Sequence, residues 1–373
     1  MKLAFIASSQ VPSSSANSIQ VMKTCQAFAQ LGHEVLLVLP GTNDTPWEEL
    51  SGPYGLTTTF QIDWLPALSA LRRYDFALQA VRQAGRWGAE AVYTWMLQAA
   101  VFAQTQSLPV LLELHDRITG RLGPLLFRSF MRGPGRKRFL PITRALQHII
   151  EDEFGVKLPE QEVVVAPMGV DLERYHSLPS TAAARQVLGL PETPTAVYTG
   201  HLYPGRGLDL LVGLARALPG VHFLWVGGRP ADVTAWQDRL VGAQVSNITL
   251  TGFIHNAEVP VYQAAADVLL MPYERSVATS SGGNTADVCS PMKMFEYMAA
   301  GRAILSSDLP VLHEVLNENN AVLCPPEDLP VWLDSLRDLL ADAPRREKLA
   351  RQGQQDVQAY TWQARAVRAI SGF

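Results

Sequence analysis

The chain has 373 residues, 47% hydrophobic and 18% charged, with a formal net charge of −4. That length suits two domains with separate cores, and the composition excludes a disordered chain. The acidic balance argues against a general nucleic-acid binder, and three scattered cysteines (Cys25, Cys289, Cys324) exclude a disulfide framework or cysteine metal cluster and point to a reducing cytosol.

The first residues, M-K-L-A-F-I-A-S-S, are too short in their apolar part for a signal peptide and read as a buried strand over 2–8. No apolar run reaches the roughly 18 residues of a membrane span. A serine-rich loop over 9–17 precedes an amphipathic helix over 18–31, with Ile19, Met22, Phe28 and Leu31 on one face. Gly32 stops it, and 34–39 is the next strand. This strand–loop–helix–strand unit opens a doubly wound parallel sheet. Asn17 or Ser18 is placed to cap the helix.

Residues 63–88 have a helical pattern. Strands over 91–95 and 110–115 follow, with a helix over 97–106 between them. The second strand ends L-L-E-L-H-D, which puts His115 and Asp116 at a strand C-terminus, where ligands bind in such sheets. Residues 117–150 carry Arg117, Arg121, Arg128, Arg132, Arg136, Lys137, Arg138 and Arg144 and no carboxylate. Leu125, Leu126, Phe127, Phe130 and Met131 interleave with Arg128 and Arg132. Such a stretch is a basic amphipathic helix for an anionic membrane, a cradle for a phosphorylated acceptor, or a solvated face over the core. Strands over 139–142 and 163–166 complete the first half, and P-M-G-V-D-L-E-R-Y over 167–175 is a linker.

A second strand–loop–helix starts at Ala196: V-Y-T-G-H-L-Y-P-G-R-G-L-D-L-L. Strands over 221–228, 248–254 and 268–273, with a short helix over 259–265, lead to a polar loop between Tyr273 and Cys289. The stretch over 290–308 then reads S-P-M-K-M-F-E-Y-M-A-A-G-R-A-I-L-S-S-D. Ser290 is placed to N-cap a helix and Pro291 to occupy its first turn. Met292, Phe295, Met298 and Ala299 form the apolar face, Gly301 ends the helix, and 303–305 is a buried strand. Glu296 is the out-of-place charge: a solvated glutamate, or a carboxylate for vicinal hydroxyls such as those of a ribose. Residues 322–324 form a last strand, 329–360 two helices, and 361–373 a terminal helix with Trp362, Ala366 and Ile370 on its face.

The stretch F-E-Y-M-A-A-G resembles the E-A-M-A-A-G end of the signature of glycosyltransferase family 4, retaining nucleotide-sugar transferases of GT-B fold. The resemblance extends to P-M-G-V-D, similar to a P-N-G-V-D interdomain linker, and to 200–207, similar to G-R-L-x-x-x-K-G. It implies two Rossmann-like doubly wound domains facing a cleft. These are an acceptor-binding domain over 1–168, a donor-binding domain over 169–357, and a helix over 358–373 crossing back to the first. It implies that Glu296 holds the donor ribose and that Arg206, at the lysine position, binds the pyrophosphate beside Gly200. His201 stands where the family has arginine. The resemblance further implies that Asn17 and Ser18 approach the donor phosphates, Ile254 the nucleobase, and that the helix start at Ser290, Pro291 and Met292 meets the donor, with N–H groups from Ser290 and Met292 but none from the proline. His115 contacts the sugar or diphosphate. The first signature glutamate corresponds to Val288, so Asp287 is the nearest carboxylate for the sugar.

The expected reaction moves a hexosyl group, with retention, from a UDP- or GDP-sugar to a hydroxyl of a sugar, lipid-linked or polysaccharide acceptor. Fixed cations and helix N-termini suffice for the developing diphosphate charge, so neither a metal nor another cofactor is expected. The expected location is the cytoplasm, with peripheral contact at the inner membrane face through 117–150. Alternatives are a catalytically silent nucleotide-sugar-binding protein and a nucleotide-sugar epimerase of the same fold. A nicotinamide dehydrogenase is disfavoured, because no G-x-G-x-x-G follows either opening strand.

Overall fold

The computed structural model describes residues 1–277 and 284–373, so the middle of the loop between Tyr273 and Cys289 lies outside the described residues. The chain runs β1 (Lys2–Ile6), α1 (Ala16–Gln30), β2 (Glu34–Pro40), α2 (Trp47–Tyr54), β3 (Gln61–Leu65), α3 (Tyr74–Trp87), β4 (Ala91–Thr94), α4 (Leu97–Thr105), β5 (Val110–Leu114), α5 (Gly123–Arg132), β6 (Lys137–Pro141) and α6 (Arg144–Phe154). It continues with α7 (Thr181–Leu188), β7 (Thr195–Thr199), α8 (Leu208–Ala217), β8 (His222–Val226), α9 (Pro230–Gly242), β9 (Ile248–Leu250), α10 (Val259–Ala264) and β10 (Val268–Met271). The last elements are α11 (Met292–Ala299), β11 (Ala303–Ser307), β12 (Val322–Cys324), α12 (Leu329–Ala341), α13 (Ala343–Asp356) and α14 (Trp362–Ile370). Two compact units result: 1–168 with 362–373, and 169–361.

Each unit holds one six-stranded sheet, and every strand pairing in both is parallel. The orders are β3-β2-β1-β4-β5-β6 and β12-β11-β10-β7-β8-β9. Counted within its own unit, each is the 3-2-1-4-5-6 Rossmann order. The order reverses between β1 and β4 in the first unit and between β7 and β10 in the second. The crevice at the C-terminal ends of those pairs is where such sheets take ligands.

The central strands have no polar face because helices cover both sides of a parallel sheet. β1, β4, β5, β7, β8 and β10 are buried along nearly their whole length. In the first unit Phe5 stacks on Tyr93 at 4.9 Å and meets Phe28 edge-on at 5.2 Å. In the second, Trp225 meets Trp236 at 5.3 Å, and the core also includes Trp332, Leu208, Leu211 and Leu305. The terminal helix α14 packs on α1 within the first unit, and Gln363 donates to Gln30 at 2.7 Å.

Several elements differ from the sequence reading. The helical pattern over 63–88 covers an edge strand, β3, before the helix proper begins at Tyr74. Asp63 lies in that strand and accepts from Gln61 and Gln83. Helices α2 and α7 were not foreseen; α2 contains Gly52 and Pro53, residues that argue against a helix. The strand expected over 248–254 stops at Leu250. The strand expected over 163–166 reduces to a parallel bridge from Val163 to Phe139.

Candidate functional site

In the second unit three loops converge at the switch point. β7 ends at Thr199 and the chain turns at Gly200, whose φ of +143° and crowded surroundings require glycine. A Cβ there would lie 2.8 Å from Lys293 Nζ and 3.1 Å from the Tyr198 hydroxyl. Gly207, at φ +65°, sits so close to the segment after β10 that a Cβ would meet the Pro272 carbonyl oxygen at 1.8 Å. From α11, the Tyr297 hydroxyl accepts from Thr199 N at 2.8 Å and reaches the Leu270 carbonyl at 3.3 Å, binding that helix to the ends of β7 and β10.

Two cations stand in this crevice. The Arg206 guanidinium lies 5.0 Å from the Tyr203 ring and 5.1 Å from the Tyr273 ring, and Nη2 donates to the Tyr203 hydroxyl at 3.2 Å. The Lys293 ammonium lies 4.1 Å from the Tyr198 ring and 5.5 Å from that of Tyr273. Aromatic faces attract cations without neutralising them. Among the described residues neither cation has an ion-pair partner. The neighbouring Glu274 accepts from Gly207 N at 3.1 Å. Burial pushes the Lys293 ammonium well below its ordinary range, the Arg206 charge pushes the same way, and Glu296 opposes both. Such a site gains from an anion that neutralises both cations.

His201 stacks on Tyr203, with ring centroids 5.1 Å apart and planes 23° apart. Burial lowers its pKa, and Arg206 and Lys293 lower it further, so it adds a neutral imidazole where the resemblance implied a cation.

Glu296 sits one helical turn from Lys293 on α11, half-buried. Burial raises its pKa; Arg174 and Lys293 oppose this, as do hydrogen bonds from Asn256 and Gln263. Arg174 is held by Asn256, with Nη1 donating to Oδ1 at 2.7 Å, and Gln263 accepts from the Tyr175 hydroxyl at 3.1 Å. Ile254, half-buried, lies two residues before Asn256 in the loop after β9. Thus Gly200, His201, Arg206, Lys293 and Glu296 belong to one crevice, with the Ile254 loop at its Glu296 end.

The start of α11 departs from expectation. Its first residue is Met292; Pro291 is the cap, extended at φ −74° and ψ 129°, and no side chain caps the helix. Ser290 precedes it, buried. Asp287 is exposed on a turn and Val288 is wholly buried, so the residue at the family's glutamate position faces the core.

In the first unit, the N-cap of α1 is Ser15 rather than Asn17 or Ser18. Ser15 has the extended backbone a cap needs, and its hydroxyl accepts from Ser18 N at 3.2 Å. Asn17 accepts from the Ser9 hydroxyl. The Ser18 hydroxyl, buried, donates to the Ser13 carbonyl at 2.7 Å and lies 2.8 Å from the Tyr54 hydroxyl. His115 follows β5, and its Nε2 lies 2.5 Å from Glu113 Oε1. Asp116 accepts from Arg117 N at 2.7 Å.

The basic stretch divides in two. Lys137 is buried and donates to the Met131 and Gly133 carbonyls at the end of α5, both at 2.7 Å. Arg136 donates to the Gly372 carbonyl and Arg138 to those of Ala369 and Ser371, at the end of α14 and just beyond it, and Arg117 pairs with Glu153 at 2.7 Å. These cations meet helix C-termini or a carboxylate, as the helix dipole favours. Arg121, Arg128 and Arg132 are exposed, beside Leu122 and Leu125. Among the described residues no helix is long and apolar enough to cross a membrane, and no cluster of three His, Cys, Asp or Glu side chains could hold a metal.

Sequence reading missed Lys293, Tyr198, Tyr203, Tyr273 and Glu113. The signal for Lys293 was its spacing, three residues before Glu296 and so on the same helical side. For Glu113 it was a carboxylate inside an otherwise apolar strand.

Comparisons with known proteins agree with this architecture. A family model described as Glycosyl transferases group 1 matches residues 193–342, and one described as Glycosyltransferase Family 4 matches 18–174. The alpha-galactosylglucosyldiacylglycerol synthase of Streptococcus pneumoniae is 24% identical over 53% of this chain and 53% of its own. A GDP-mannose-dependent alpha-(1-6)-phosphatidylinositol monomannoside mannosyltransferase of Mycobacterium tuberculosis is 26% identical over 56% and 55%. The chain thus spans about half the length of these two relatives. The phosphatidyl-myo-inositol mannosyltransferase of Mycobacterium leprae is 22% identical over 92% of this chain and 88% of its own. Among solved structures, HepE of Anabaena with UDP and glucose superposes with a TM-score of 0.76 at 16% identity, covering 100% of both chains. Sucrose-phosphate synthase of Thermosynechococcus elongatus gives 0.75 at 18%, covering 99% and 97%. Two parallel sheets of Rossmann order, matched along nearly their whole length by these neighbours, are the GT-B fold, and with one family model in each unit the chain belongs to the group 1, family 4 glycosyltransferases.

Proposed function

We propose that the protein transfers a hexosyl group, with retention, from a UDP- or GDP-sugar to a hydroxyl acceptor. The observation that carries this reading is the pair Arg206 and Lys293, without an ion-pair partner among the described residues, at the switch point of the second sheet. A diphosphate bridging the pair neutralises both and receives charge-assisted hydrogen bonds. As the sugar–phosphate bond breaks, the same cations stabilise the charge growing on the leaving group. A metal is not required for that step. Glu296 then accepts from the ribose hydroxyls, and the loop at Ile254 meets the base. His115 meets the sugar, and Asp287 is the remaining candidate carboxylate for it. The complex of HepE with UDP and glucose supports UDP as the donor nucleotide. The mycobacterial mannosyltransferases, one GDP-mannose-dependent and one acting on phosphatidyl-myo-inositol, support GDP-mannose and a lipid acceptor.

Thermal unfolding with UDP, GDP, ADP and NAD, with and without EDTA, tests the donor site. One nucleoside diphosphate should raise the melting temperature independently of EDTA, because a ligand of the native state stabilises it by mass action. Glu296→Ala should abolish that shift. A shift indifferent to Glu296, or none with any diphosphate, removes the reading.

The exposed side of α5, with the turn before it, supports a lipid-linked acceptor. Arg121, Arg128 and Arg132 beside Leu122 and Leu125 suit an anionic membrane surface, each cation contributing about 1 kcal/mol near it. Vesicles containing anionic lipid should bind the protein at low salt, and Arg128→Glu with Arg132→Glu should lose that binding. Unchanged co-sedimentation of the double variant would refute membrane contact here.

A further inference from the structure

Glu113 lies in β5 and His115 directly after it, two residues on, and the two side chains meet on one side of the strand end. Glu113 is buried within a shell of donors. Gln20 Nε2 reaches Oε1 at 2.9 Å, His115 Nε2 at 2.5 Å and Arg365 Nη2 at 2.6 Å, while the Tyr93 hydroxyl donates to Oε2. Arg365, from α14, is equally buried and is completed by the Pro167 carbonyl at 2.8 Å, the Ala166 carbonyl at 3.3 Å and the Tyr93 hydroxyl at 3.2 Å.

The arrangement decides which imidazole nitrogen carries the proton. An ionised carboxylate only accepts, and here three side chains converge on Oε1 and one meets Oε2. Burial alone would raise the Glu113 pKa, but the opposing interactions, the Arg365 charge foremost, hold it down to about 2. Glu113 therefore has no proton to donate, and His115 Nε2 must donate to it. In the neutral imidazole Nδ1 is then the bare acceptor. Nδ1 has no hydrogen-bond partner among the described residues, and the side chain keeps 27% of its surface exposed at the end of β5.

We propose that Glu113 is a positioning residue: when the His115 imidazole carries a single proton, Glu113 keeps that proton on Nε2, so that Nδ1 accepts a hydrogen bond from a substrate hydroxyl. Arg365, supplied by the C-terminal helix, keeps Glu113 an acceptor. A neutral glutamine at 113 could rotate its amide and bond either tautomer, so the imidazole would lose both its orientation and its polarity. The identity of the hydroxyl as a sugar hydroxyl rests on the transferase reading; the locked tautomer does not.

Long-range proton–nitrogen correlation of the full chain labelled with nitrogen-15 histidine reads the tautomer directly. Spectra belong at about pH 8, above the ordinary histidine range, with His115→Gln to assign the signal. The wild type should show one Nε2–H pattern for His115. The double variant Glu113→Gln with Arg365→Met, which removes both buried charges together, should show a tautomer mixture. An Nδ1–H pattern in the wild type, or an unchanged pattern in the double variant, overturns the proposal. The wild-type spectrum alone can refute it even if the variant does not fold. Adding whichever of UDP-glucose or GDP-mannose raises the melting temperature should move the Nδ1 resonance upfield. Binding with Nδ1 unmoved overturns the acceptor role. If none of UDP, GDP and these sugar nucleotides binds while the Nε2–H form is locked, the transferase reading fails and the positioning stands.

Discussion

Arg365→Met should lower the unfolding free energy by about 3–5 kcal/mol, the usual cost of removing one partner from a buried ion pair. Arg365 and Glu113 are 1% and 2% exposed, so the variant leaves a carboxylate in the core without its counter-charge. The native pair also carries a pH signature. The folded pKa of Glu113, about 2, lies below the ordinary glutamate value of 4.5. A depressed carboxylate contributes stability that is fully present above the unfolded value and is lost as pH falls through the folded one. Here that window runs from 4.5 down to about 2, and it contains roughly 3 kcal/mol at 1.36 kcal/mol per pKa unit. In Arg365→Met the depressing charge is gone, burial prevails, and the acid limb moves to higher pH. Urea denaturation of wild type and variant at neutral pH and near pH 3 measures both effects. The double variant Glu113→Gln with Arg365→Met should recover most of the loss, because neutral groups of similar volume need no counter-charge. A single variant within about 1 kcal/mol of wild type would contradict this account of the network.

Removing either crevice cation should weaken binding of the cognate nucleoside diphosphate by about 10- to 100-fold. Each hydrogen bond to a charged group contributes about 1.5–3 kcal/mol, and 1.4 kcal/mol is tenfold. Arg206→Met and Lys293→Met should behave alike, because both cations lie in the same crevice against Tyr273. They should differ in proton linkage. Burial and Arg206 depress the free Lys293 ammonium, and a bound diphosphate reverses that depression, so binding at alkaline pH takes up a proton. Titration calorimetry in two buffers of unlike ionisation enthalpy should detect the uptake in the wild type and lose it in Lys293→Met. Equal affinity in wild type and both variants would remove the diphosphate from this crevice.

The two sheets were legible because their central strands are buried on both faces and so read as continuous apolar runs. The edge strand β3 was not, since Q-I-D-W-L lies half-buried and alternates weakly inside a helical pattern. In the crevice of the second unit, the motifs singled out Gly200, Arg206 and Glu296. They did not reach the tyrosines that cradle the cations, which come from β7, the loop after it and the segment after β10. The cap of α1 went to Ser15 because capping depends on backbone angles that a run of serines and asparagine leaves open.

By itself the sequence determined the two-domain α/β class and its parallel sheets, because hydrophobic periodicity and glycine-bearing turns are local properties, and its motifs carried the resemblance to the family. Only the tertiary structure decided which polar groups meet. Gln20, Tyr93, Glu113, His115 and Arg365 come from four elements and the loop after β5, up to 345 positions apart (365 − 20), and are joined because a buried carboxylate must find its donors wherever the chain supplies them. Lys293 joined Arg206 for a different reason. Strand order brings the loop after β7 beside the helix that follows β10, and no spacing rule along the chain records that adjacency.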